Sequence, residues 1–367
     1  GFFTLPPIDR DEVLFAQASS QMAASGDMID IRFRDEVRYK KPIGIYWLQS
    51  TMARITGAEG EISTYRLVSL LGALVAVGFT WATARLVLPG PGPGAFLAAM
   101  ILGSSFMLGA ESRLAKTDAV QLATIAAGMF VLARAWLPGG TGQRPALSLG
   151  AALGFWVALA AAVLVKGPIG PFVMLGALAG LSLMRRDLAI LRALRPGPGI
   201  LLFLALVLPW VIAITLRSGT EFWTRSVGQD MLAKVGSGQE SHGAPPGSYL
   251  LAIWATFWPG AILLAGGLPA MWRGRGAPLM RFALVWAVPV WILFEVTATK
   301  LVHYTLPAYP ALALAAAWAL VQAGPGARWV SWLLGLVPFA LLAALAFAAR
   351  DLGAPLGWPF VVGLAGL

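Results

Sequence analysis

The chain has 367 residues, of which 58% are apolar and only 12% are charged, and its mean hydropathy is +0.75. Soluble domains contain roughly 45–50% apolar and about 25% charged residues, so this composition excludes an ordinary soluble enzyme and a disordered chain. It predicts an all-α, polytopic membrane protein. The sequence contains no cysteine, which excludes disulfides, thiolate nucleophiles and Cys-based metal sites within it.

The first 65 residues are too polar to span a membrane, and they predict two amphipathic helices at its surface. Asp9 and Glu12 have the spacing of a capping box, which predicts a helix over 10–25 that stops at Gly26. Pro42 is a favoured first helical residue and predicts a second helix that ends near residue 57. Two interfacial helices over a bundle would roof a cavity at the water–lipid boundary.

From about residue 66 the chain is a series of apolar runs near the membrane length of about 20 residues, separated by Pro- and Gly-rich turns. We therefore divide it into a periplasmic loop, 1–65, and a bundle, 66–367, with a mobile loop at 217–247. Both termini look truncated, because the chain opens without Met and ends inside an apolar run. The expected spans are 66–88, 94–111, 118–137, 147–165, 168–184, 199–216, 248–270, 279–297, 304–322 and 328–349, with a partial one from about 356.

If successive spans cross the membrane in alternate directions, the charged residues that give the net charge of +10 divide between its two sides. One side receives eleven arginines in short turns or at span ends, with Asp187 as its single acid, so the positive-inside rule makes it cytoplasmic. The other side receives the remaining 16 of 17 acids, all six lysines and both histidines. The basic surplus therefore sets orientation and gives no reason to expect a nucleic-acid partner, and the chemistry is expected outside the cytoplasm.

The strongest candidates lie in the first loop. Asp11 has no capping duty, so its carboxylate is available as a general base or to bind a divalent cation. Lys40 and Lys41 stand at a helix start, where they oppose the macrodipole unless an anion binds there. At the outer face of a membrane the natural anion is a lipid phosphate, and snorkelling to lipid headgroups is the alternative.

Further charges lie between spans at the membrane rim, where they are costly and usually functional. Asp118 is a second candidate carboxylate, with N-capping as the alternative. Lys166 sits in a tight turn and needs a carboxylate or phosphate partner. Lys300 and Tyr304 are four residues apart, share a face if helical, and are candidates for the same phosphate, with interface anchoring as the alternative. Secondary candidates are Glu12, Arg10, Asp230, His242 and His303.

The sequence contains no P-loop, no dinucleotide-binding fingerprint and no His-Glu-x-x-His pair. Its expected cytoplasmic loops are too short for a nucleotide-binding domain. We therefore expect a substrate that is activated elsewhere and arrives within the membrane. No cofactor is required by the pattern; a divalent cation is possible, and its ligands are unknown.

Several stretches together resemble the bacterial polyprenyl-phosphate-dependent glycosyltransferases, integral-membrane enzymes of the C-type fold that include lipid A aminoarabinose transferases and relatives of the protein mannosyltransferases. The resemblance covers most of the chain and is fairly specific for the superfamily, but not for the sugar. The residues that carry it are Pro6-Pro7-Ile8-Asp9-Arg10-Asp11-Glu12, Phe15-Ala16-Gln17, Gly26-Asp27, Tyr39-Lys40-Lys41-Pro42-Ile43-Gly44-Ile45-Tyr46-Trp47, Asp118, Lys166-Gly167, Thr299-Lys300-Leu301 and Tyr304-Thr305-Leu306-Pro307.

The resemblance implies roles for individual residues. Asp11 matches the catalytic acid of the first loop, Lys41 the lysine at the donor phosphate, Asp118 a second cavity carboxylate and Tyr304 a tyrosine near the lipid phosphate. Aminoarabinose transferases carry an acid where this chain has Lys40. That acid is associated with metal binding, so the same metal site and the same sugar are not expected to carry over.

The expected function is a multi-pass glycosyltransferase of the bacterial inner membrane with its site facing the periplasm. Its donor would be a sugar on undecaprenyl phosphate or a similar carrier, and its acceptor a lipid A-type glycolipid, another envelope glycan or a protein hydroxyl. Two other classes remain open. A flippase or transporter for an anionic lipid would place ionisable residues deep within broken spans, and a lipid-binding scaffold would not need two carboxylates in one cavity.

Overall fold

The computed structural model describes residues 2–3, 5–88, 93–137, 147–232, 243–323 and 346–347. Within them the chain is almost entirely helical, which confirms the all-α prediction. Two-residue strands, β1 (Arg32–Phe33) and β2 (Glu36–Val37), form an antiparallel hairpin that the sequence analysis did not predict. The helices are α1 (Arg10–Ser25), α2 (Gly44–Thr56), α3 (Ile62–Val87), α4 (Gly94–Gly103), α5 (Phe106–Glu111), α6 (Asp118–Trp136), α7 (Leu149–Lys166), α8 (Ile169–Arg185), α9 (Ala189–Ala193), α10 (Pro196–Ser218), α11 (Glu221–Trp223), α12 (Ser248–Thr256), α13 (Gly260–Arg273), α14 (Pro278–Val296) and α15 (Tyr309–Ala323), with a π-helical segment at Thr224–Leu232 and a 3₁₀ turn at Leu306–Ala308.

In the described part of the chain five helices are long and apolar enough to cross a membrane: α3, α6, α7, α10 and α14. The pair α12 and α13, bent by 115° at a short break, is long and apolar enough only when taken together, and it forms either a broken span or a re-entrant loop. Helices α4, α8 and α15 are apolar but shorter. The predicted span at 328–349, apart from residues 346–347, and the predicted span beyond 356 lie outside the described residues.

Two predicted spans are broken, at 94–111 and at 248–270. The first divides into α4 and α5 at Ser104 and Ser105, and the second divides into α12 and α13 before Gly260. The breaks meet, because the backbone N–H of Phe106 donates to the carbonyl of Trp258 at 3.0 Å. Irregular backbone at membrane depth is tolerated where protein covers it and satisfies its polar groups, and this bond does so at both breaks.

Small residues let the spans pack closely at the centre of the bundle. A Cβ atom on Gly72 of α3 would lie 2.9 Å from the Cα atom of Val120 on α6. Close backbone approach through small residues is how membrane helices associate without a hydrophobic driving force between them. This contact fixes the start of α6, and therefore Asp118, against α3.

The charges separate by side as predicted. Asp118, at the start of α6, contacts Lys166, at the end of α7, so these two helix ends share one side of the bundle. Arg134, in the last turn of α6, lies at the opposite end, and Arg85 and Arg185 end α3 and α8 in the same sense. Two of the arginines that defined this side, Arg144 and Arg328, lie outside the described residues.

The first loop forms the two predicted helices. The backbone N–H of Asp11 donates to Asp9 Oδ1 at 2.7 Å, and α1 ends before Gly26, whose φ of 74° closes the helix. Helix α2 begins at Gly44, two residues after the predicted start. The loop is fixed to the bundle where Trp210 Nε1 of α10 donates to the carbonyl of Ile29 at 3.1 Å. The division at residue 65 stays a prediction, and α3 begins at Ile62.

The predicted mobile loop, 217–247, is partly helical. Helix α10 extends to Ser218, and α11 and the π-helical segment (hereafter the π segment) continue to Leu232. Phe222 is buried between Tyr39 and Trp210, with ring centroids 5.5 and 5.2 Å away. This aromatic contact joins the loop to both the first loop and α10. Its mobility stays a prediction, and residues 233–242 lie outside the described part.

Candidate active site

A cavity of 490 Å³ lies where α2, α6, α7, α8, α10, the π segment and the turn before α15 meet. Its wall is mainly apolar, with side chains such as Leu164, Ile169, Trp210, Phe222 and Phe294. The polar groups concentrate at the helix ends that form its mouth. The ionisable side chains that line it are Lys40, Lys41, Asp118, Lys166, Asp230, His303 and Tyr304.

Lys40 and Lys41 reach this cavity because α2 starts very close to α7. A Cβ atom on Gly44 would lie 2.7 Å from the carbonyl oxygen of Leu164, so only glycine fits there. Lys41 Nζ lies 2.5 Å from Asp230 Oδ2 of the π segment. Lys40 is exposed at the rim. The two lysines therefore present cationic groups to the mouth, and their role at an anion site stays a prediction.

A continuous charged network crosses the floor of the mouth, in the order Asp9, Lys116, Glu111, His303, Asp118 and Lys166. Lys116 Nζ lies 3.0 Å from Asp9 Oδ2 and 3.5 Å from Glu111 Oε1. His303 follows, with Nδ1 3.6 Å from Glu111 Oε1 and Nε2 3.6 Å from Asp118 Oδ1. Lys166 Nζ closes the network 2.5 Å from Asp118 Oδ1. Four chain segments thus meet through these side chains, with the imidazole of His303 between two carboxylates.

The network shifts the pKa values of its members outside the spans. The pKa of His303 is lowered to about 4, chiefly by burial and in part by the ammonium groups of Lys166 and Lys116, while Asp118 opposes the shift. Burial opposes the charge of Lys116, yet Glu111, Asp118 and Asp9 outweigh it and raise the pKa of Lys116. His303 is therefore neutral near pH 7, while Lys116 stays charged.

Asp118 and Asp11 occupy different environments. Asp118 is buried at the start of α6 and lines the cavity beside Lys166. Asp11 does not line it: its side chain is 50% exposed, and its Oδ1 lies 3.7 Å from Arg38 Nη2. The pKa of the Tyr46 hydroxyl, buried in α2, is raised to about 12, chiefly by burial, while the charge of Arg38 opposes the shift. Asp11 therefore lies near the site without facing into the cavity.

Glu12, a secondary candidate, makes contacts that hold the fold together. Its carboxylate accepts from Arg66 Nε at 2.7 Å and Nη2 at 3.1 Å, and both side chains are buried. The backbone N–H of Ala115 also donates to Glu12 Oε1 at 3.1 Å. These bonds fix α1 to α3 and to the turn before α6, so Glu12 builds the site without lining it. Arg10 is exposed at the first residue of α1.

Lys300 has partners other than the predicted phosphate. Its Nζ donates to the carbonyls of Phe294, Glu295 and Thr297 at 3.2, 2.8 and 2.8 Å. These carbonyls end α14, where a cation complements the helix dipole. Lys300 does not line the cavity, which favours a helix-capping role.

Tyr304, by contrast, lines the cavity, with its ring 5.0 Å from that of Phe294. His242 lies outside the described residues. Among the described residues no group of three or more His, Asp or Glu side chains is arranged to hold a metal ion. The structure therefore adds no ligands for the possible divalent cation.

Sequence reasoning did not select Arg38, Glu111 and Lys116 as site residues. In the sequence, only the position of Glu111 and Lys116 between two apolar runs indicates a functional role. Glu111 Oε2 is buried with no hydrogen-bond partner among the described residues. Nothing local predicts that Lys116 meets Asp9, which is 107 residues away.

The comparisons with known proteins agree with this architecture. A family model described as dolichyl-phosphate-mannose-protein mannosyltransferase matches residues 40–212, which include α2 and α6 to α10. An undecaprenyl phosphate-alpha-4-amino-4-deoxy-L-arabinose arabinosyl transferase of Aeromonas hydrophila is 28% identical over 95% of this chain and 64% of its own length. The namesake protein of Edwardsiella ictaluri is 27% identical over 83% of this chain and 54% of its own length. The chain therefore spans little more than half to two thirds of these relatives.

Solved structures share the fold. ArnT from Cupriavidus metallidurans, bound to undecaprenyl phosphate, superposes with a TM-score of 0.78 at 23% identity, over 96% of this chain and 62% of that one. The archaeal oligosaccharyltransferase AglB from Archaeoglobus fulgidus gives a TM-score of 0.52 at 14% identity, over 99% of this chain and 51% of that one. The chain is a multi-pass membrane protein that shares its fold with these two solved structures. The predicted resemblance to the polyprenyl-phosphate-dependent glycosyltransferases is thereby confirmed.

Proposed function

We propose that the protein is a glycosyltransferase that moves a sugar from a polyprenyl-phosphate donor to an acceptor in the periplasm. The observation that carries the proposal is a single cavity that joins an apolar wall to a mouth containing Lys40, Lys41 and Lys166. A polyprenyl-phosphate sugar has the same division, with an apolar chain attached to an anionic phosphate. The names of the relatives from Aeromonas and Edwardsiella support this donor class.

In this proposal the lysines compensate the charge that develops on the leaving group. The bond between the anomeric carbon and the phosphate oxygen breaks, and polyprenyl phosphate leaves with one additional negative charge. Lys41 and Lys40, just before α2, neutralise it, and Tyr304 also lines the cavity and is a further hydrogen-bond donor. Fixed cations in a water-poor site stabilise such a charge far more than water does.

The two carboxylates have separate tasks. Asp11 accepts the proton of the attacking acceptor group, since its half-exposed side chain is open to an acceptor that enters from water. Asp118, fixed by Lys166 and facing His303, orients the sugar from the cavity floor. The new bond then joins the acceptor oxygen to the anomeric carbon. Lys300 is left out of this assignment, because its ammonium is already bound to three carbonyls.

The proposed place is the bacterial inner membrane, with the cavity on the periplasmic side. The arginines at the opposite helix ends support this orientation through the positive-inside rule. The names of the relatives support an aminoarabinose donor, hence pentosyl transfer, and we propose lipid A-type glycolipids as the acceptor class. Hexosyl transfer is the second outcome to be tested, because Lys40 stands where the aminoarabinose branch carries an acid.

The test is mass spectrometry of lipid A and other envelope glycans from cells with and without the full-length protein. The expected result is one sugar gained on one acceptor, and its mass distinguishes a pentose from a hexose. Purified protein should then transfer that sugar from its polyprenyl phosphate, and Lys41→Ala and Asp11→Asn should lose most of the transfer. Unchanged glycans, together with movement of intact lipid across the bilayer, would favour the flippase class instead. Full transfer by both variants would overturn the residue assignment.

A further inference from the structure

Lys41, to which the proposed function assigns the donor phosphate, already has an anion beside it. Asp230 Oδ2 lies 2.5 Å from Lys41 Nζ, and the two side chains are only 10% and 22% exposed. They come from chain segments 189 residues apart, the turn before α2 and the π segment. Both line the cavity. The carboxylate of Asp230 therefore neutralises the ammonium group of Lys41 within the cavity.

A carboxylate and a phosphate cannot both bind one ammonium group without repelling each other. Two like charges a few ångströms apart in a partly buried site cost several kcal/mol at an effective dielectric constant near 20. We propose that Asp230 is a placeholder for the donor phosphate. It pairs with Lys41 while the site is empty and leaves it when the donor binds. This inference rests on the proposed function, because it takes Lys41 as a phosphate ligand.

The pair has a physical purpose in the empty site. A buried ammonium without a partner is costly, and removing one member of a buried ion pair is strongly destabilising. Asp230 supplies an opposite charge at 2.5 Å, which helps to keep the ammonium group in a mainly apolar cavity before the lipid arrives. A small anion that displaces the carboxylate exchanges one ion pair for another and gains little binding free energy. The donor gains additional binding free energy, because its apolar chain packs against the cavity wall.

Asp230 is carried by a segment that is suited to move. The π segment has irregular geometry, which is uncommon outside functional positions, and most of its described side chains are exposed or half-buried. Its attachment lies before it, at Phe222, which is packed on Tyr39 and Trp210. A rotation about this aromatic contact would withdraw Asp230 and leave α2 and Lys41 in place.

The placeholder lowers the apparent affinity for the donor by a predictable factor. If Asp230 occupies Lys41 in nine of ten empty molecules, the apparent dissociation constant is about tenfold above the intrinsic one, since only the open fraction is ready to bind. Removing the charge of Asp230 removes this factor. Removing Lys41 removes both the ligand and the competition.

The experiment measures binding of undecaprenyl phosphate, without sugar, to the full-length protein in nanodiscs by native mass spectrometry. Asp230→Asn, and Asp230→Ser as a second neutral variant, should bind about tenfold tighter than wild type. Asp230→Glu should stay close to wild type, because it keeps the charge. The matched control is Glu221→Gln, which removes a carboxylate of α11 that pairs with the exposed Arg225 of the π segment and does not line the cavity. It should change affinity less than twofold.

The Lys41→Met background separates this inference from the proposed function. Lys41→Met should bind undecaprenyl phosphate weakly, and adding Asp230→Asn should then change nothing. If Lys41→Met binds weakly but Asp230→Asn alone is unchanged or weaker than wild type, the placeholder is overturned and the donor site stands. If Lys41→Met binds as wild type does, the assignment of Lys41 to the phosphate is itself overturned.

Discussion

Lys166 and Lys300 lie on the same side of the bundle, but their ammonium groups have different partners. Lys166 binds the carboxylate of Asp118 at the cavity, and Lys300 binds three carbonyls at the end of α14. We therefore expect Lys166→Met to lower transfer at least tenfold, because Asp118 loses the cation that fixes it. Lys300→Met should instead lower the melting temperature by several degrees while transfer per folded molecule stays within about twofold. Equal losses of transfer in the two variants would mean that Lys300 also serves the phosphate.

His303 gives the site a defined dependence on pH. Burial lowers its pKa to about 4, compared with about 6.5 for an ordinary histidine. Between these values the unfolded chain takes up a proton that the folded protein does not, so stability must fall as the pH decreases from 6.5 towards 4. The difference corresponds to at most about 3 kcal/mol.

The matched variant for this prediction is His303→Gln, which stays neutral and retains a polar group between Glu111 and Asp118. Melting temperatures of the two proteins should run parallel above pH 7 and separate below pH 6.5, with the wild type falling faster. The carboxylates, Asp9 among them, lose their charge in both proteins at lower pH and cancel in the comparison. Curves that stay parallel down to pH 4 would show that folding does not lower the pKa of His303.

At the scale of elements, the site depends on where α2 begins. Gly44 lies against the end of α7, with 2.7 Å between its would-be Cβ atom and the carbonyl oxygen of Leu164. Gly44→Ala must push the two helices apart and move Lys40 and Lys41 from the cavity mouth. We expect transfer to fall at least tenfold, with weaker binding of undecaprenyl phosphate. Gly60→Ala is the matched control, since no atom lies within 4 Å of its Cβ position, and it should retain activity.

Sequence patterns predicted elements well where one local cause decides the boundary. Helix α1 begins and ends as expected because Asp9 caps its first turn and Gly26 closes its last. Patterns failed where tertiary contacts decide it. The apolar runs at 94–111 and 248–270 continue through their breaks, and the bond from Phe106 to Trp258 that satisfies both breaks joins residues far apart in sequence. The strands Arg32–Phe33 and Glu36–Val37 are too short for any periodicity to register.

The candidate site was predictable in its charges and its side, but not in its pairings. Sorting the spans placed every lysine and nearly every acid on one side, because membrane burial forces charges to helix ends. Which carboxylate meets which ammonium depends on contacts between residues 48, 107 and 189 positions apart, as with Lys166, Lys116 and Lys41. The sequence therefore predicted both Lys300 and Lys166 as phosphate ligands. Only their contacts in the structure show that their environments differ.

At the scale of the whole molecule, the proposed function requires the cavity to face the periplasm. These 367 residues contain no cysteine, so a single introduced thiol reports the side of any position. Gly60 lies in the turn before α3 at the cavity side, and Gly276 lies in the turn between α13 and α14 at the arginine side; both are exposed with room for a side chain. In intact spheroplasts, Gly60→Cys should react with a membrane-impermeant maleimide and Gly276→Cys should react only after the membrane is opened. The reverse pattern would put the lysines and Asp118 in the cytoplasm and overturn the periplasmic assignment, since the acceptor would then have to reach the site from the other side.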